Sequence, residues 1–250
     1  MPLNVALFVT CLTDQFYPHV GVAVTKILER YGCTVTFPSA QTCCGQPFFN
    51  NGFHPEAKDL AKRWLEIFEP YDYIVSPSGS CTAMVREQFH ELFKGDPAWE
   101  ADCSKVAHRT YEFVEFLVKV LKVDLSEFKL PEPTPLTYQY TCHLRGIGVK
   151  DEGLRLLRQM GNIDFRPLEK TEQCCGFGGT FAVKYPAISQ AIVEDKASCI
   201  AKTEASVTVC NDAGCTMNIA GMCHKQGVKT EVRHIAELMA SAMKIHVTNL

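Results

Sequence analysis

Two adjacent cysteines followed by glycine occur twice in this chain, in "QTCCGQP" at residues 41–47 and "EQCCGFGG" at residues 172–179. Each copy belongs to a longer pattern. Cys11, Cys43, Cys44 and Gly45 recur as Cys142, Cys174, Cys175 and Gly176, each 131 positions on, and Cys81 recurs as Cys215, 134 positions on. A pattern returning at nearly one offset over half the chain implies two copies of one folding unit, which restricts the topologies open to the sequence.

The intervening segments repeat as well. "VALFVT" leads into Cys11 and "LTYQYT" into Cys142, both short and rich in β-formers. Helical stretches follow, "HVGVAVTKILERYG" and "DEGLRLLRQMG", each closed by a glycine suited to a helix C-terminus. "CTVTFP" and "IDFRPL" read as second strands running into the two Cys-Cys-Gly loops. Helices are expected again near residues 55–69 and 186–203. Third strands, "YDYIVSP" and "ASVTVCN", run into Cys81 and Cys215, and the halves end in helices "TYEFVEFLVKVL" and "VRHIAELMASAM". Alternating strands and helices predict an α/β protein of two pseudo-repeated domains, each a mainly parallel sheet flanked by helices. "KVDLSEFKLPEPTPLT", with prolines at 131, 133 and 135, reads as the linker, giving domains 1–127 and 128–250.

In such sheets the loops after the strand C-terminal ends form the ligand crevice. Every repeated cysteine follows a strand, so each half is expected to gather four thiols from three distant loops into a sulfur pocket. Thirteen cysteines in 250 residues, an odd number, argue for metal or redox chemistry rather than a disulfide framework. The apolar run at the N-terminus is too short for a signal peptide and suits a first strand. No stretch is long enough for a membrane span, and the cytoplasm is the expected location. With 25 basic and 28 acidic residues and no basic run, nucleic acid is excluded as an expected partner.

Tetrahedral sulfur sites hold zinc or iron–sulfur clusters. Structural zinc uses pairs such as Cys-x-x-Cys, a spacing this sequence lacks. Neighbouring cysteines direct their side chains apart and suit a larger cluster, whose separate irons each take one thiolate. Gly45 and Gly176 permit close backbone approach to such a group. The expected ligands are Cys11, Cys43, Cys44 and Cys81 in one half and Cys142, Cys174, Cys175 and Cys215 in the other, with zinc as the alternative. Cys33, Cys103, Cys199 and Cys223 have no repeat partner and read as core. Cys210 aligns with Ser76 and is a candidate neighbour of the second site. His143 is a candidate hydrogen-bond donor or proton carrier, with ordinary packing duty the blander assignment. "GFGGTF" lacks the glycine order of a nucleotide loop, no flavin or nicotinamide fingerprint is present, and no catalytic residue is identified.

The twice-written Cys-x31-Cys-Cys-Gly with a distant cysteine resembles the CCG cysteine-rich domain family, which includes one of the subunits of heterodisulfide reductase and the iron–sulfur subunit of glycolate oxidase. For a chain built of two such domains, the resemblance implies an iron–sulfur electron-transfer component in the oxidation of L-lactate to pyruvate. It also implies other subunits of a lactate-oxidation complex as partners, one of them another iron–sulfur protein. The fullest family motif ends in Cys-x-x-Cys. Here Ser78 and Asp212 stand at the first of those positions, leaving four cysteines per half, a number that suits two ordinary [4Fe-4S] clusters. Oxygen ligation of a cluster by Ser78 or Asp212 is the alternative role, and both residues are also good helix caps, the role expected here. The alternatives are a cluster-based thiol, disulfide or quinone oxidoreductase subunit and a zinc-binding assembly module without redox activity.

Overall fold

The structure, a computed structural model, describes residues 2–247, so the outer ends of the expected domains, Met1 and residues 248–250, lie outside the described residues. The first half runs β1 (Asn4–Leu7), α1 (Cys11–Phe16), α2 (Pro18–Arg30), β2 (Thr34–Thr36), α3 (Gln46–Phe49), α4 (His54–Phe68), β3 (Tyr73–Ser76) and α5 (Gly79–Ala83). A π-helical turn at Met84–Gln88 continues α5 into α6 (Phe89–Phe93), followed by α7 (Pro97–Ala107), β4 (Thr110–Glu112) and α8 (Phe113–Lys119). The second half runs β5 (Lys129–Tyr138), a 3-10 turn at Cys142–Arg145, α9 (Glu152–Gln159), β6 (Gly161–Phe165), α10 (Thr180–Lys184), α11 (Pro186–Thr203), β7 (Val207–Cys210), α12 (Ala213–Gln226), β8 (Glu231–His234) and α13 (Ile235–Ala242).

Two four-stranded sheets result, ordered β2-β1-β3-β4 and β6-β5-β7-β8, with every pairing parallel. The two orders are the same once the halves are aligned. Both faces of each sheet are covered, which explains the nearly continuous apolar strands. Side-chain alternation then sorts the core. Val5, Leu7 and Val9 face a layer shared by the two halves, whereas Ala6 and Phe8 face the first half's outer helices. Leu136, Tyr138, Val207 and Val209 meet the same shared layer from the second sheet. Helices α2, α8, α9 and α13 supply its middle, with Ile27, Phe116, Leu157 and Met239 fully buried. The halves are therefore joined by one apolar core.

Three details differ from the sequence reading. The proline segment is not a free linker, because Pro131, Pro133 and Pro135 lie within β5. Prolines at every second residue direct their missing N–H groups to one edge. That edge faces away from β6, and β7 pairs only with Leu136–Tyr138, so no ladder bond is lost at Pro131 or Pro133. Each half also has a fourth strand, β4 or β8, three or four residues long and running straight into a helix, where the helical pattern hid it. Finally, Gly161 opens β6 rather than capping α9, and Asn162 beside it takes the left-handed conformation at φ +62°.

Candidate functional site

The eight repeated cysteines follow the C-terminal ends of β1, β2, β3, β5, β6 and β7. The expectation of one pocket per half is corrected by the packing. All eight border a single cavity of about 340 Å³. The shared core presses the two crevices together, so thiols from both halves face the same space. His143, Phe177 and Val183 complete part of its wall, and the wall is mostly apolar apart from sulfur.

Within the first set, Cys11 Sγ lies 3.7 Å from Cys43 Sγ and Cys44 Sγ lies 3.5 Å from Cys81 Sγ. Gly45 and Gly176 take left-handed conformations, φ +84° and +83°, and turn the chain immediately after each cysteine pair. A methyl group on Gly176 would come within 2.8 Å of the Ser189 carbonyl oxygen, so the loop is pressed against α11. That turn aims the Gly176 N–H at Cys174 Sγ, 3.3 Å away.

The electrostatics follow. Cys43 is lowered to about 3, first because the Cys11 thiol donates to its sulfur at 3.7 Å, with the Cys44 thiol and the loop N–H groups beside it acting in the same direction. Cys174 is lowered to about 2 by the thiols of Cys142 and Cys175 and the Gly176 N–H. The neighbouring thiols are raised in turn: Cys11 and Cys142 by Cys43 and Cys174, and Cys44 and Cys175 by the thiols on either side of them (Cys43 and Cys81, Cys174 and Cys215) and by burial. In each set the first cysteine of the pair is therefore the thiol most favoured to ionise.

Among the described residues, no three His, Cys, Asp or Glu side chains converge on a point that could hold one metal ion. A zinc ion wants its thiolates about 2.3 Å from a single centre. A cluster distributes one thiolate to each iron, and four soft thiols per half around an open cavity, with a backbone N–H already on a sulfur, are a donor set that fits one.

Ser78 and Asp212 meet each other. Asp212 Oδ2 accepts from Ser78 Oγ at 2.8 Å, Ser80 Oγ at 2.8 Å and the Ser80 N–H at 3.1 Å, while Oδ1 accepts the Gly214 N–H at 3.0 Å. Ser78 Oγ also accepts the Cys81 N–H at 3.2 Å. Both residues cap the helices that carry Cys81 and Cys215, and together they bridge the halves at the cavity wall. These bonds engage both side chains as caps and as a bridge in this arrangement. A second pair of bonds crosses behind them. Asn211 Nδ2 donates to Glu112 Oε1 at 3.3 Å, and His234 Nε2 donates to the Pro77 carbonyl at 3.0 Å. Burial pushes Glu112 up to about 8 and His234 down.

Cys33, Cys103, Cys199 and Cys223 are buried in the core. So is Cys210, which packs beside Cys175 and Cys215 without reaching the cavity wall. Sequence reasoning missed Ser80 and the two threonines preceding the first cysteine of each set, Thr10 and Thr141, which also line the cavity. The threonines were visible in the repeat, at the same 131-residue offset as the cysteines they precede. Thr10 adopts φ +72°, ψ +149°, a strained conformation for a β-branched residue, whereas Thr141 does not.

The CCG cysteine-rich domain family matches residues 5–86 and 136–220, and the chain belongs to that family. It is 47% identical over 238 residues to lactate utilization protein A from Anoxybacillus flavithermus, covering 95% of this chain and 99% of that one. It is 47% identical to the protein of the same name from Geobacillus kaustophilus (95% and 98% covered) and 46% identical to that from Shouchella clausii (96% and 99% covered). Among solved structures, glutamate racemase from Francisella tularensis aligns over 99% of this chain and 84% of its own, at 11% identity and a TM-score of 0.35, too low to support any argument. No helix among the described residues is long and apolar enough to cross a membrane.

Proposed function

We propose that this chain is an iron–sulfur electron-transfer subunit of a system that oxidises L-lactate to pyruvate. In this reading Cys11, Cys43, Cys44 and Cys81 hold one [4Fe-4S] cluster, and Cys142, Cys174, Cys175 and Cys215 hold a second. The observation behind it is the double set of four thiols around one cavity, with the first cysteine of each pair favoured to ionise. The substrate comes from the name of the relatives, lactate utilization protein A, matched over nearly their whole length. A cluster supplies one-electron chemistry when bound. The chain's own residues hold it, shield it from water and tie the two sites together through Ser78 and Asp212. A hydride carrier is needed to dehydrogenate a hydroxy acid, so other subunits complete the system, and the family resemblance implies another iron–sulfur protein among them. Residues 1–127 and 128–250 are its two domains in this proposal, and the cytoplasm is its place of work.

Protein purified without oxygen is expected to contain iron and acid-labile sulfide in similar amounts, and Cys81→Ser or Cys215→Ser to lose one cluster's EPR signal. Stoichiometric zinc without sulfide would overturn the cluster assignment. A second reading draws on the apolar, shared cavity: a thiol, disulfide or quinone reacting between the two sites. Turnover of lactate, or of such a compound, by the isolated protein with an artificial dye would favour it over the carrier role.

A further inference from the structure

The two halves differ chemically behind their cysteine loops. Their equivalence is fixed by the backbone: the Phe8 N–H donates to the Val75 carbonyl at 2.9 Å, and the Gln139 N–H to the Val209 carbonyl at 2.9 Å. Gly45 lies against Ala57 and Leu60, as Gly176 lies against Ser189 and Ile192. Helices α4 and α11 are thus in register at an offset of 132, and Trp64 corresponds to Lys196. In the first half, Phe8 and Trp64 pack edge to face with ring centroids 5.3 Å apart, and Phe68 stacks on Trp64 at 4.3 Å. The same two places in the second half are occupied by Gln139 and Lys196, both with no exposed surface.

These polar side chains are tied to the loop that delivers Cys174 and Cys175. Gln139 Nε2 donates to the carbonyls of Tyr140 at 2.8 Å and Gln173 at 3.1 Å, and its Oε1 has no partner among the described residues. Lys196 Nζ donates to the Lys170 carbonyl at 2.5 Å. The neighbouring Asp195 is engaged by Lys170 at 2.9 Å and by Gln173 at 2.8 Å rather than by Lys196. A buried ammonium without a carboxylate partner is costly, and an aromatic ring fills the equivalent place in the first half. Val193 and Ala197, on the same helix as Lys196, pack in one cluster with Cys175 and Cys215, which places this stretch of α11 against the second cysteine site, and burial draws Lys196 downward.

We propose that Lys196, assisted by Gln139, gives the second cysteine site a higher reduction potential than the first, so that the second site holds an electron more tightly. This rests on the cluster reading above. A fixed positive charge in a water-poor interior favours the more negative, reduced state of a neighbouring cluster, and the first half has only hydrocarbon and aromatic rings there. The duplicated fold thereby becomes a directional pair.

The test is an EPR-monitored redox titration of anaerobically purified protein, with iron and sulfide measured on the same samples. Wild type is expected to give two midpoints, and Cys142→Ser, which removes the second site's cluster, identifies the higher one. Lys196→Met should lower that midpoint by at least 59 mV, tenfold in a one-electron equilibrium, and leave the other in place. Lys196→Arg should preserve both, and Gln139→Leu should shift the higher one in the same direction by less. If Lys196→Met does not accumulate, Lys196→Gln, which keeps a donor for the Lys170 carbonyl and loses the charge, decides the point. Unmoved midpoints in a charge-removing variant with full iron content would overturn this inference alone. Wild-type protein without iron and sulfide would overturn the cluster reading, and this inference with it.

Discussion

Replacing Asp212 with alanine removes four hydrogen bonds at once, three of them reaching into the other half. As a helix cap alone, the residue would be worth about 1 kcal/mol. The Ser78 and Ser80 hydroxyls lie 3.2 Å apart and can turn toward each other, so they add little to the cost. The Ser80 N–H cannot turn, and a half-buried donor left without a partner costs from about 1 kcal/mol toward the roughly 3 kcal/mol of full burial. The expected loss is therefore about 2–4 kcal/mol, a large fraction of the 5–15 kcal/mol typical of a folded protein. Urea unfolding followed by circular dichroism under anaerobic, reducing conditions reads this directly. A double-mutant cycle with Ser78→Ala isolates the bridge, with an expected coupling of about 1 kcal/mol or more, because each partner's truncation removes the same inter-half bond. A loss near 1 kcal/mol, with coupling inside the roughly 0.5 kcal/mol scatter of independent sites, would mean that Asp212 only caps its own helix and that the bridge is wrong.

Two further outcomes follow from the buried charges. Glu112 is raised from 4.5 to about 8, so its contribution is complete below pH 4.5 and is lost as pH climbs toward 8, where the unfolded chain ionises freely and the folded chain resists. The full span corresponds to on the order of 5 kcal/mol, and relaxation should leave about half, so Glu112→Gln is expected to gain about 2–3 kcal/mol on wild type between pH 5 and pH 8; parallel stability curves over that range would contradict the assignment. Loading of iron or another thiophilic metal must expel the protons held on Cys11, Cys44, Cys142 and Cys175, all raised above the ordinary thiol range. Apparent metal affinity should accordingly rise with pH, accompanied by proton release in weakly buffered solution, and a pH-independent affinity would show that these thiols do not bind the metal.

The sequence made the internal repeat legible because a cysteine followed by cysteine and glycine tolerates no drift, and the strands around it had to be apolar on both faces. It therefore revealed six of the eight strands and the loops carrying all eight thiols. The remaining two strands, Thr110–Glu112 and Glu231–His234, are too short and polar to separate from the helices they enter. The proline run was misread because a proline in a strand is judged by whether its N–H is needed, which depends on where the neighbouring strand stops. The shared cavity was hidden for a different reason. Periodicity along one half says which face of α2 or α13 is apolar, but not that those faces cover each other. Ser78 and Asp212 were noticed as departures from a cysteine pattern, yet their contact with each other depends on the packing of the halves. The exchange of Phe8 and Trp64 for Gln139 and Lys196 needed the register of α4 against α11, which the loops between them obscure.

What brings two four-thiol sets to one cavity is an exchange at the ends of the strands. Pro77 and Asn211 are equivalent residues, each just past the third strand of its half and just before Ser78 or Asp212. The end of β8 holds Pro77 through the His234 Nε2–H, and the end of β4 receives Asn211 at Glu112, so each half's fourth strand grips the other half's third-strand loop. His234 is fixed as the Nε2–H tautomer, because its Nδ1 accepts the Ala236 N–H at 3.2 Å and caps α13. Burial keeps the ring neutral, and a charged ring would have to donate from Nδ1 against that N–H. Once those loops are held, Ser78 and Asp212 are brought within 2.8 Å, and Cys81 and Cys215, three residues further along, must face the same space. The two sulfur sites are therefore neighbours because of polar contacts that contain no sulfur. None of these contacts is made through a metal, so the cavity follows from the packing of the folded chain itself.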